Sequence, residues 1–338
     1  MIGESWNLEP GTWNLKPSFS GILSPDMEIL SIQPPAIKKG GTITVVAPAG
    51  PVYQRDSFER GIASLERLGF RVRYNERIFE SSRYLAGDDH ARAEELMRAF
   101  EDPSTEAIIG LRGGYGCSRL IPLLKTTRLR AHPKIFMGFS DLTTLHLFFR
   151  RRFGWTTFHG PMAVSPSLID IAQNQANHLF SLFTDPEYRP VLSVAESESW
   201  VPGIAEGEVT GGCLSIVAAS LGTRYEINTE GKILFLEDNG EPPYRLDRML
   251  THLHLAGKFR SLAGVLLGNF LDCEPAQSDY SSSDILRDIL TKLNVPILAN
   301  FPAGHGNDNW AIPFGCNVRM DAYTRTIEFL KPAVRKPN

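Results

Sequence analysis

Short apolar segments of strand length alternate with longer segments of helical periodicity between Gly41 and Phe139. In the first helical segment, apolar residues recur at Phe58, Ile62 and Leu65, which is the spacing of one buried helix face. Strands that alternate with helices pair in parallel and are covered by helices on both faces of the sheet. The pattern therefore predicts an α/β domain, whose ligands bind at the carboxyl ends of the strands. The predicted elements are strands Thr42–Ala47, Arg71–Tyr74, Ala107–Leu111 and Ile135–Phe139, with a second helix over Ala91–Phe100.

The second half of the chain does not repeat this alternation. Gly211 and Gly212 predict a turn before a buried helix, and Lys232–Glu237 reads as an apolar strand that ends in a carboxylate. Ala311–Met320 and Thr324–Leu330 predict a closing hairpin. Because 338 residues are enough for two domains, this mixture predicts a second, α+β domain with a sheet or partial barrel. The predicted regions are an N-terminal extension over residues 1–36, a first domain over 37–165, a crossing segment over 166–205 and a second domain over 206–332.

The first 36 residues differ in character from the rest of the chain. They contain a short imperfect repeat, Trp6–Pro10 and Trp13–Pro17. They lack a basic segment followed by an apolar one, so they do not form a secretory signal peptide. We expect a poorly ordered extension, and one hypothesis is that the native protein starts at Met27.

Composition excludes several classes of function. The chain is 42% hydrophobic and 22% charged with a net charge of −3, which argues against nucleic acid or anionic lipid as the main partner. No apolar run approaches the length of a membrane span. The four cysteines are far apart and lack CxxC spacing, which favours reduced thiols in a cytoplasmic protein.

Ser140 lies where an apolar strand meets an amphipathic helix, directly after Gly138 and Phe139. A sharp strand-to-helix turn exposes a hydroxyl oxygen close to the first N–H groups of the helix, which is the placement that nucleophilic serines need. Serine is also among the favoured N-cap residues. Taken locally, capping is the more frequent role of a serine at such a position.

The glycine-rich segment Arg112–Gly116 follows the third predicted strand. Glycines there allow backbone N–H groups to approach a ligand, and an anion or an oxyanion suits such donors. The segment is not a dinucleotide-binding fingerprint, because the GxGxxG pattern is absent and the first strand does not precede it. A tight turn with packing glycines remains an equal alternative.

A nucleophilic serine needs a general base, which a third group usually orients. Among the eight histidines, His305 is the best candidate because its flanking glycines leave room for a substrate, and His159 is a fair one. A lone histidine in a loop is more often structural. Glu237 ends an apolar strand, where an unpaired charge is costly, so we expect it to have a partner. Asp238 and Glu241 follow it and are expected to be more solvated.

Several motifs are dispersed along the chain in a fixed order. They are Val45–Pro51, Arg112–Gly116, Gly138–Asp141, His159–Pro161, Leu236–Asp238, Tyr244–Leu250, Gly268–Glu274 and Gly304–Gly306. With these motifs, the chain from about Gln33 to Leu330 resembles the serine LD-carboxypeptidases, which include muramoyltetrapeptide carboxypeptidases and microcin C immunity peptidases. The resemblance is closer to the muramoyltetrapeptide enzymes.

The resemblance implies roles for individual residues. Ser140 is implied as the nucleophile, Glu237 as the orienting acid and His305 as the general base. The backbone N–H groups of Asp141 and of a glycine in Arg112–Gly116 are implied as the oxyanion hole, and we choose Gly114 over Gly113. The resemblance further implies a Rossmann-like N-terminal domain with the serine, and a smaller, partly barrel-like C-terminal domain with the acid and the base. It also implies a cytoplasmic homodimer that uses no metal or nucleotide cofactor.

The substrate is less determined by the sequence. Arg112 is a candidate contact for the terminal carboxylate of a peptide, with a structural ion pair as the alternative, and Tyr115 is a candidate for packing on the peptide. We favour release of terminal D-alanine from murein tetrapeptide in cell-wall recycling. Microcin-type enzymes instead cleave peptidyl or aminoacyl nucleotides and stack the base on loop aromatics, a role for which Trp200 is the candidate. A non-catalytic two-lobe binding protein is the alternative from another class, and the absence of an export signal argues against it.

Overall fold

The computed structural model of the protein describes residues 31–193, 196–275 and 279–337. The predictions for the tryptophan repeat and for Met27 lie outside these residues. The predicted extension is too long at its C-terminal end, because Ile32 pairs with Trp155 and Ala36 is buried. The ordered body therefore includes residues 31–36.

Fourteen strands and ten α-helices occur within the described ranges. None of these helices has the length and apolar character needed to cross a membrane. The strands are β1 (Thr42–Val46), β2 (Arg71–Tyr74), β3 (Ala107–Gly110), β4 (Ile135–Gly138), β5 (Thr157–His159), β6 (Val191–Ser193), β7 (Glu198–Val201), β8 (Ile204–Cys213), β9 (Ile233–Asn239), β10 (Gly264–Leu271), β11 (Ile297–Ala299), β12 (Ile312–Phe314), β13 (Asn317–Asp321) and β14 (Thr326–Phe329). The helices are α1 (Arg55–Arg67), α2 (Asp89–Glu101), α3 (Cys117–Leu120), α4 (Thr126–Leu129), α5 (Thr143–Phe153), α6 (Pro166–Ile169), α7 (Gln173–Thr184), α8 (Leu214–Ala219), α9 (Pro243–Leu255) and α10 (Ser282–Leu290).

Sheet A has six strands in the order β12-β5-β4-β3-β1-β2. Strands β1 to β5 are parallel, as the strand–helix alternation predicts, and β12 is antiparallel to β5. Neighbouring residues of β3 contribute to different core clusters, since Ile108 packs with α2 and α5 while Ile109 packs with α1 and α7. Helices thus cover both faces of the sheet. The register aligns Val46 with Gly110, so the carboxyl ends of β1, β3 and β4 lie at one edge.

Sheet B has eight strands in the order β6-β14-β13-β8-β9-β10-β11-β7. Its central strands β8 to β11 are parallel, and the flanking pairs are antiparallel. Helices α8, α9 and α10 pack on one face. The other face packs against β12 of sheet A through residues such as Phe235 and Phe314. Its edge strands β6 and β7 do not pair with each other in the described residues, so the sheet does not close into a barrel.

Three expectations differ from the structure. The predicted strand Ala311–Met320 is interrupted at Gly315, which has a φ of +90°; β12 joins sheet A and β13 joins sheet B. Gly211 and Gly212 lie inside β8 and not in a turn. The crossing segment over residues 166–205 is divided, because α7 packs on sheet A while β6 and β7 belong to sheet B. Sheet A therefore takes strand β12 from the predicted second domain, and sheet B takes strands β6 and β7 from the predicted crossing segment.

Candidate active site

Ser140 occupies a strained turn at the carboxyl end of β4. Its φ is +60°, a left-handed value that costs energy for a residue with a side chain. The turn is tight because a Cβ atom at Gly138 would lie 2.4 Å from the Leu142 side chain. The 3₁₀ turn Ser140–Leu142 leads into α5, and no side chain caps either element. The capping role considered for Ser140 is therefore absent, and the turn has the geometry of a nucleophile elbow.

Glu237 and His305 form a close pair. His305 Nδ1 lies 2.6 Å from Glu237 Oε2, and the Glu237 side chain is completely buried near the end of β9. Glycines make room for this contact, since a Cβ atom at Gly304 would lie 2.6 Å from Glu237 Oε2 and Gly304 has a φ of +117°. The expectation that Glu237 has a partner agrees with this pair. With Nδ1 bound to the carboxylate, the other ring nitrogen of His305 is available to a substrate.

The pKa values of the pair follow from burial and from their contact. Burial lowers the pKa of His305, but the hydrogen bond and charge of Glu237 outweigh it, so the pKa lies above its ordinary value of 6.5. Burial raises the pKa of Glu237, and the hydrogen bond from His305 opposes this shift. The carboxylate therefore stabilises the protonated ring, as a general base requires after it accepts a proton.

Ser140 and His305 line the same cleft, of about 610 Å³, between the carboxyl end of sheet A and the end of β9. Phe139 holds the histidine ring in an edge-to-face contact, with ring centroids 4.8 Å apart. Ser140 Oγ and His305 form no hydrogen bond within the described residues. A hydrogen bond between a nucleophile and its general base often tightens only when substrate binds.

The segment Arg112–Gly116 lies directly beside the serine. A Cβ atom at Gly113 would lie 2.7 Å from Ser140 Oγ, so only glycine fits there. The carbonyl of Gly113 accepts a hydrogen bond from Gly50 N at 3.2 Å. Because this peptide is trans, the N–H of Gly114 points away from Gly50. That direction leaves Gly114 N–H available as a donor, as the choice of Gly114 requires.

The side chain of Asp141 connects the serine turn with the glycine segment. It is 2% exposed, and its Oδ2 accepts a 2.8 Å hydrogen bond from Cys117 N at the end of the glycine segment. Behind the segment, the fully buried Arg92 donates hydrogen bonds to Pro48 O and to Asp89. The bond from Cys117 to Asp141 therefore ties the serine turn to the end of the glycine segment.

Arg112 lines the cleft. Its guanidinium stacks over the Tyr53 ring at 4.7 Å from the centroid, and Nη1 donates to Pro51 O at 3.3 Å. It forms no ion pair with an Asp or Glu of the described residues. The structural ion pair considered for Arg112 is therefore absent from the described residues. The positive charge of its guanidinium is available to an anionic ligand.

Two family models match most of the chain. The model described as the LD-carboxypeptidase N-terminal domain matches residues 43–160, and that of the LD-carboxypeptidase C-terminal domain matches residues 206–320. The chain belongs to the LD-carboxypeptidase family. It is thus a hydrolase of the serine carboxypeptidase type, as the resemblance implied.

Individual relatives agree with this membership. A probable murein peptide carboxypeptidase of Bacillus subtilis is 36% identical over 88% of this chain and 94% of its own length. A murein tetrapeptide carboxypeptidase of Pseudomonas aeruginosa is 34% identical over 81% of this chain and 91% of its own length. Among solved structures, the microcin C7 self immunity protein MccF, in complex with aspartyl sulfamoyl adenosine, has a TM-score of 0.84 at 22% identity. That match covers 90% of this chain and 99% of MccF, and it supports the two-domain fold.

The remaining candidates of this LD-carboxypeptidase lie in different places. Tyr115 is 47% exposed and lines a smaller neighbouring cleft of about 350 Å³ together with Tyr84. Trp200 does not line the main cleft; it lies on edge strand β7 beneath Arg287, 4.1 Å from the ring centroid. His159 is fully buried among aromatic rings, and it has no hydrogen-bond partner in the described residues. It therefore lacks the orienting carboxylate that His305 has.

Sequence reasoning missed two acidic residues of this LD-carboxypeptidase site. Asp238, expected in solvent, is 2% exposed, and its Oδ2 accepts a 2.7 Å hydrogen bond from Ser215 N at the start of α8. Glu241 lines the cleft. Their position directly after Glu237 was the only available signal. The described residues contain no group of three or more His, Cys, Asp or Glu side chains arranged to hold a metal ion.

Proposed function

We propose that the protein releases the terminal D-alanine from murein tetrapeptide in cell-wall recycling. The reaction passes through an acyl-enzyme on Ser140, with His305 as general base and Glu237 as the orienting acid. The single observation that carries this mechanism is the 2.6 Å pair of His305 with the fully buried Glu237, in the cleft that Ser140 also lines. A buried carboxylate, an imidazole and a serine in one cleft are the parts of a relay for acyl transfer.

In the first step, His305 accepts the proton of Ser140 as Oγ attacks the carbonyl of the L-configured residue before D-alanine. Glu237 stabilises the imidazolium that forms. The negative charge on the former carbonyl oxygen is stabilised by the N–H groups of Asp141 and Gly114. Each such donor is worth about 3–4 kcal/mol of transition-state stabilisation in comparable sites.

In the second step, His305 gives its proton to the leaving amine, and D-alanine departs. Water then attacks the ester on Ser140, again with His305 as base, and the tripeptide is released. The left-handed φ of Ser140 supports both steps, since a nucleophile elbow presents the hydroxyl to the cleft that His305 also lines.

Arg112 binds the free carboxylate of the terminal residue in this proposal. The lack of an ion pair with any described acid supports this role, as does its position in the cleft. Replacing Arg112 by Ala should mainly raise KM, because the carboxylate is bound equally in the ground state and the transition state. An unchanged KM would remove Arg112 from this role.

The substrate follows from the relatives named as murein peptide and murein tetrapeptide carboxypeptidases. The likeness to MccF leaves aminoacyl nucleotides as the second candidate. Trp200 lies on an edge strand outside the cleft, so it is not placed to stack a base there. This proposal includes action in wall recycling, a cytoplasmic location and a homodimer. Fractionation of cells tests the location, and light scattering of the purified protein tests the homodimer.

The test is incubation with L-Ala-γ-D-Glu-meso-diaminopimelate-D-Ala, with free D-alanine measured by D-amino acid oxidase. We expect release by the wild type and none by Ser140→Ala. A parallel incubation with an aspartyl sulfamoyl adenosine addresses the second candidate. Release from the nucleotide conjugate alone would replace the substrate, and no turnover of either compound by folded protein would favour a binding protein.

A further inference from the structure

The cleft contains few accessible charged groups besides the catalytic pair. Asp141 and Asp238 line it, but each is 2% exposed, and their carboxylates bind Cys117 N and Ser215 N. Both carboxylates therefore accept hydrogen bonds within the protein and are almost inaccessible to a ligand. Arg112 and Glu241 remain as the cation and the anion that a ligand can reach. Because the proposed reaction uses Arg112 for the terminal carboxylate, Glu241 has no assigned role.

Glu241 is held on a rigid part of the chain. The preceding Gly240 donates its N–H to Leu271 O at 2.9 Å, which ties the segment to β10. Pro242 and Pro243 follow, and their rings fix the backbone at the start of α9. The backbone that carries Glu241 is therefore already ordered before a ligand binds.

The internal partner of Glu241 is weak. Arg245 Nη1 lies 3.4 Å from Glu241 Oε2, and the arginine side chain is 48% exposed. Exposed pairs of this spacing along a helix contribute little. The Glu241 side chain, in contrast, is only 20% exposed and faces the cleft wall. A ligand ammonium there would meet a partly desolvated carboxylate, where a charge-assisted hydrogen bond is strong.

We propose that Glu241 binds the free ammonium group of a diamino acid. This ammonium lies at the end of the side chain of the residue whose carbonyl Ser140 attacks. This inference rests on the proposed function, since it names the residue that the enzyme selects at the third position of its tetrapeptide. In that residue one amine is part of the peptide bond and the second is free and cationic. The cleft then binds a peptide by two opposite charges, the terminal carboxylate at Arg112 and the side-chain ammonium at Glu241.

The experiment compares three tetrapeptides that differ only at the third residue, which is meso-diaminopimelate, L-lysine or L-norleucine. Lysine retains the ammonium without the second carboxylate, and norleucine retains the chain without either. For the wild type we expect kcat/KM to be about 10- to 100-fold higher for the two cationic peptides than for norleucine, the range of one hydrogen bond to a charged group. Glu241→Gln should reduce that ratio to about 2-fold or less, with little change for the norleucine peptide.

The control is Glu206→Gln, which removes an exposed carboxylate on β8 that pairs with Arg319. It should leave the ratio unchanged. Calorimetric binding of the same peptides to Ser140→Ala, with and without Glu241→Gln, gives a second readout that needs no turnover. Equal rates and equal binding for lysine and norleucine, or an unchanged preference in Glu241→Gln, would overturn the inference. If no peptide is hydrolysed but the binding preference depends on Glu241, the proposed function fails and the ammonium site stands.

Discussion

Replacing Glu237 by Gln tests the electrostatic core of the proposed mechanism. The side chain is fully buried and accepts a 2.6 Å hydrogen bond from His305 Nδ1. Gln has nearly the same shape, but its amide N–H can donate to Nδ1, which places the ring proton on the nitrogen that must accept the Ser140 proton. We expect kcat to fall on the order of 10³- to 10⁴-fold while the protein stays folded.

The same substitution should move the pH dependence. His305 acts in its neutral form, so kcat/KM rises with pH through its pKa, which in the wild type lies above 6.5 because of Glu237. In Glu237→Gln the charge of the partner is lost, whereas burial still lowers the pKa of His305. The midpoint should therefore shift to lower pH.

The assay is D-alanine release from the tetrapeptide between pH 5 and 9, with a high concentration of the variant, and thermal unfolding confirms its fold. Glu206→Gln serves as the control for removing a carboxylate elsewhere, and its midpoint should equal that of the wild type. An unchanged midpoint in Glu237→Gln, or a loss of kcat below about tenfold, would refute the role of Glu237.

Three further substitutions test the surroundings of the serine. Gly113→Ala should lower kcat by about 100-fold or more without unfolding the protein, because its Cβ would lie 2.7 Å from Ser140 Oγ; wild-type turnover would contradict this. Asp141→Ala removes the 2.8 Å hydrogen bond from Cys117 N and should lower kcat about 10²-fold at nearly constant KM. A change in KM alone would argue against a role of this hydrogen bond in positioning the oxyanion donors. Arg92→Met should lower the free energy of unfolding by about 1.5–3 kcal/mol in urea titrations, and an unchanged midpoint would mean that its buried hydrogen bonds contribute nothing.

The first four strands could be predicted from the sequence to within about one residue at their ends. Strands buried on both faces are continuous apolar runs, and helices of ordinary length separate them. The edge strand β2 is mostly exposed and lacks such a run, but it too has the predicted bounds, Arg71–Tyr74. Local pattern was sufficient here because each strand pairs in the simple parallel order that the helices impose.

The second domain was harder, because the decisive contacts are not local. Gly211 and Gly212 have the sequence of a turn, but a Cβ atom at Gly211 would lie 1.8 Å from Phe235 O of the adjacent strand. A glycine needed for close approach cannot be distinguished by sequence from one needed for a turn. Likewise, nothing in Ile312–Phe314 indicates that its partner is β5, more than a hundred residues earlier.

The candidate site was predictable where chemistry demands a partner. A carboxylate at the end of an apolar strand needs one, and this reasoning connected Glu237 with a histidine. The left-handed backbone of Ser140, the bond from Cys117 to Asp141 and the place of Glu241 in the cleft were not predictable. Each depends on how two distant loops meet at the ends of the sheets.

The central claim is that Ser140 and His305 act as one catalytic unit on the terminal peptide bond of murein tetrapeptide. The most direct measurement is the rate of D-alanine release by Ser140→Ala, by His305→Ala and by the double variant. Groups that act in one relay lose their whole contribution when either is removed. We predict that each single variant falls by a similar factor, about 10³ or more, and that the double variant falls no further. Losses that multiply in the double variant, or release by Ser140→Ala near the wild-type rate, would contradict the account.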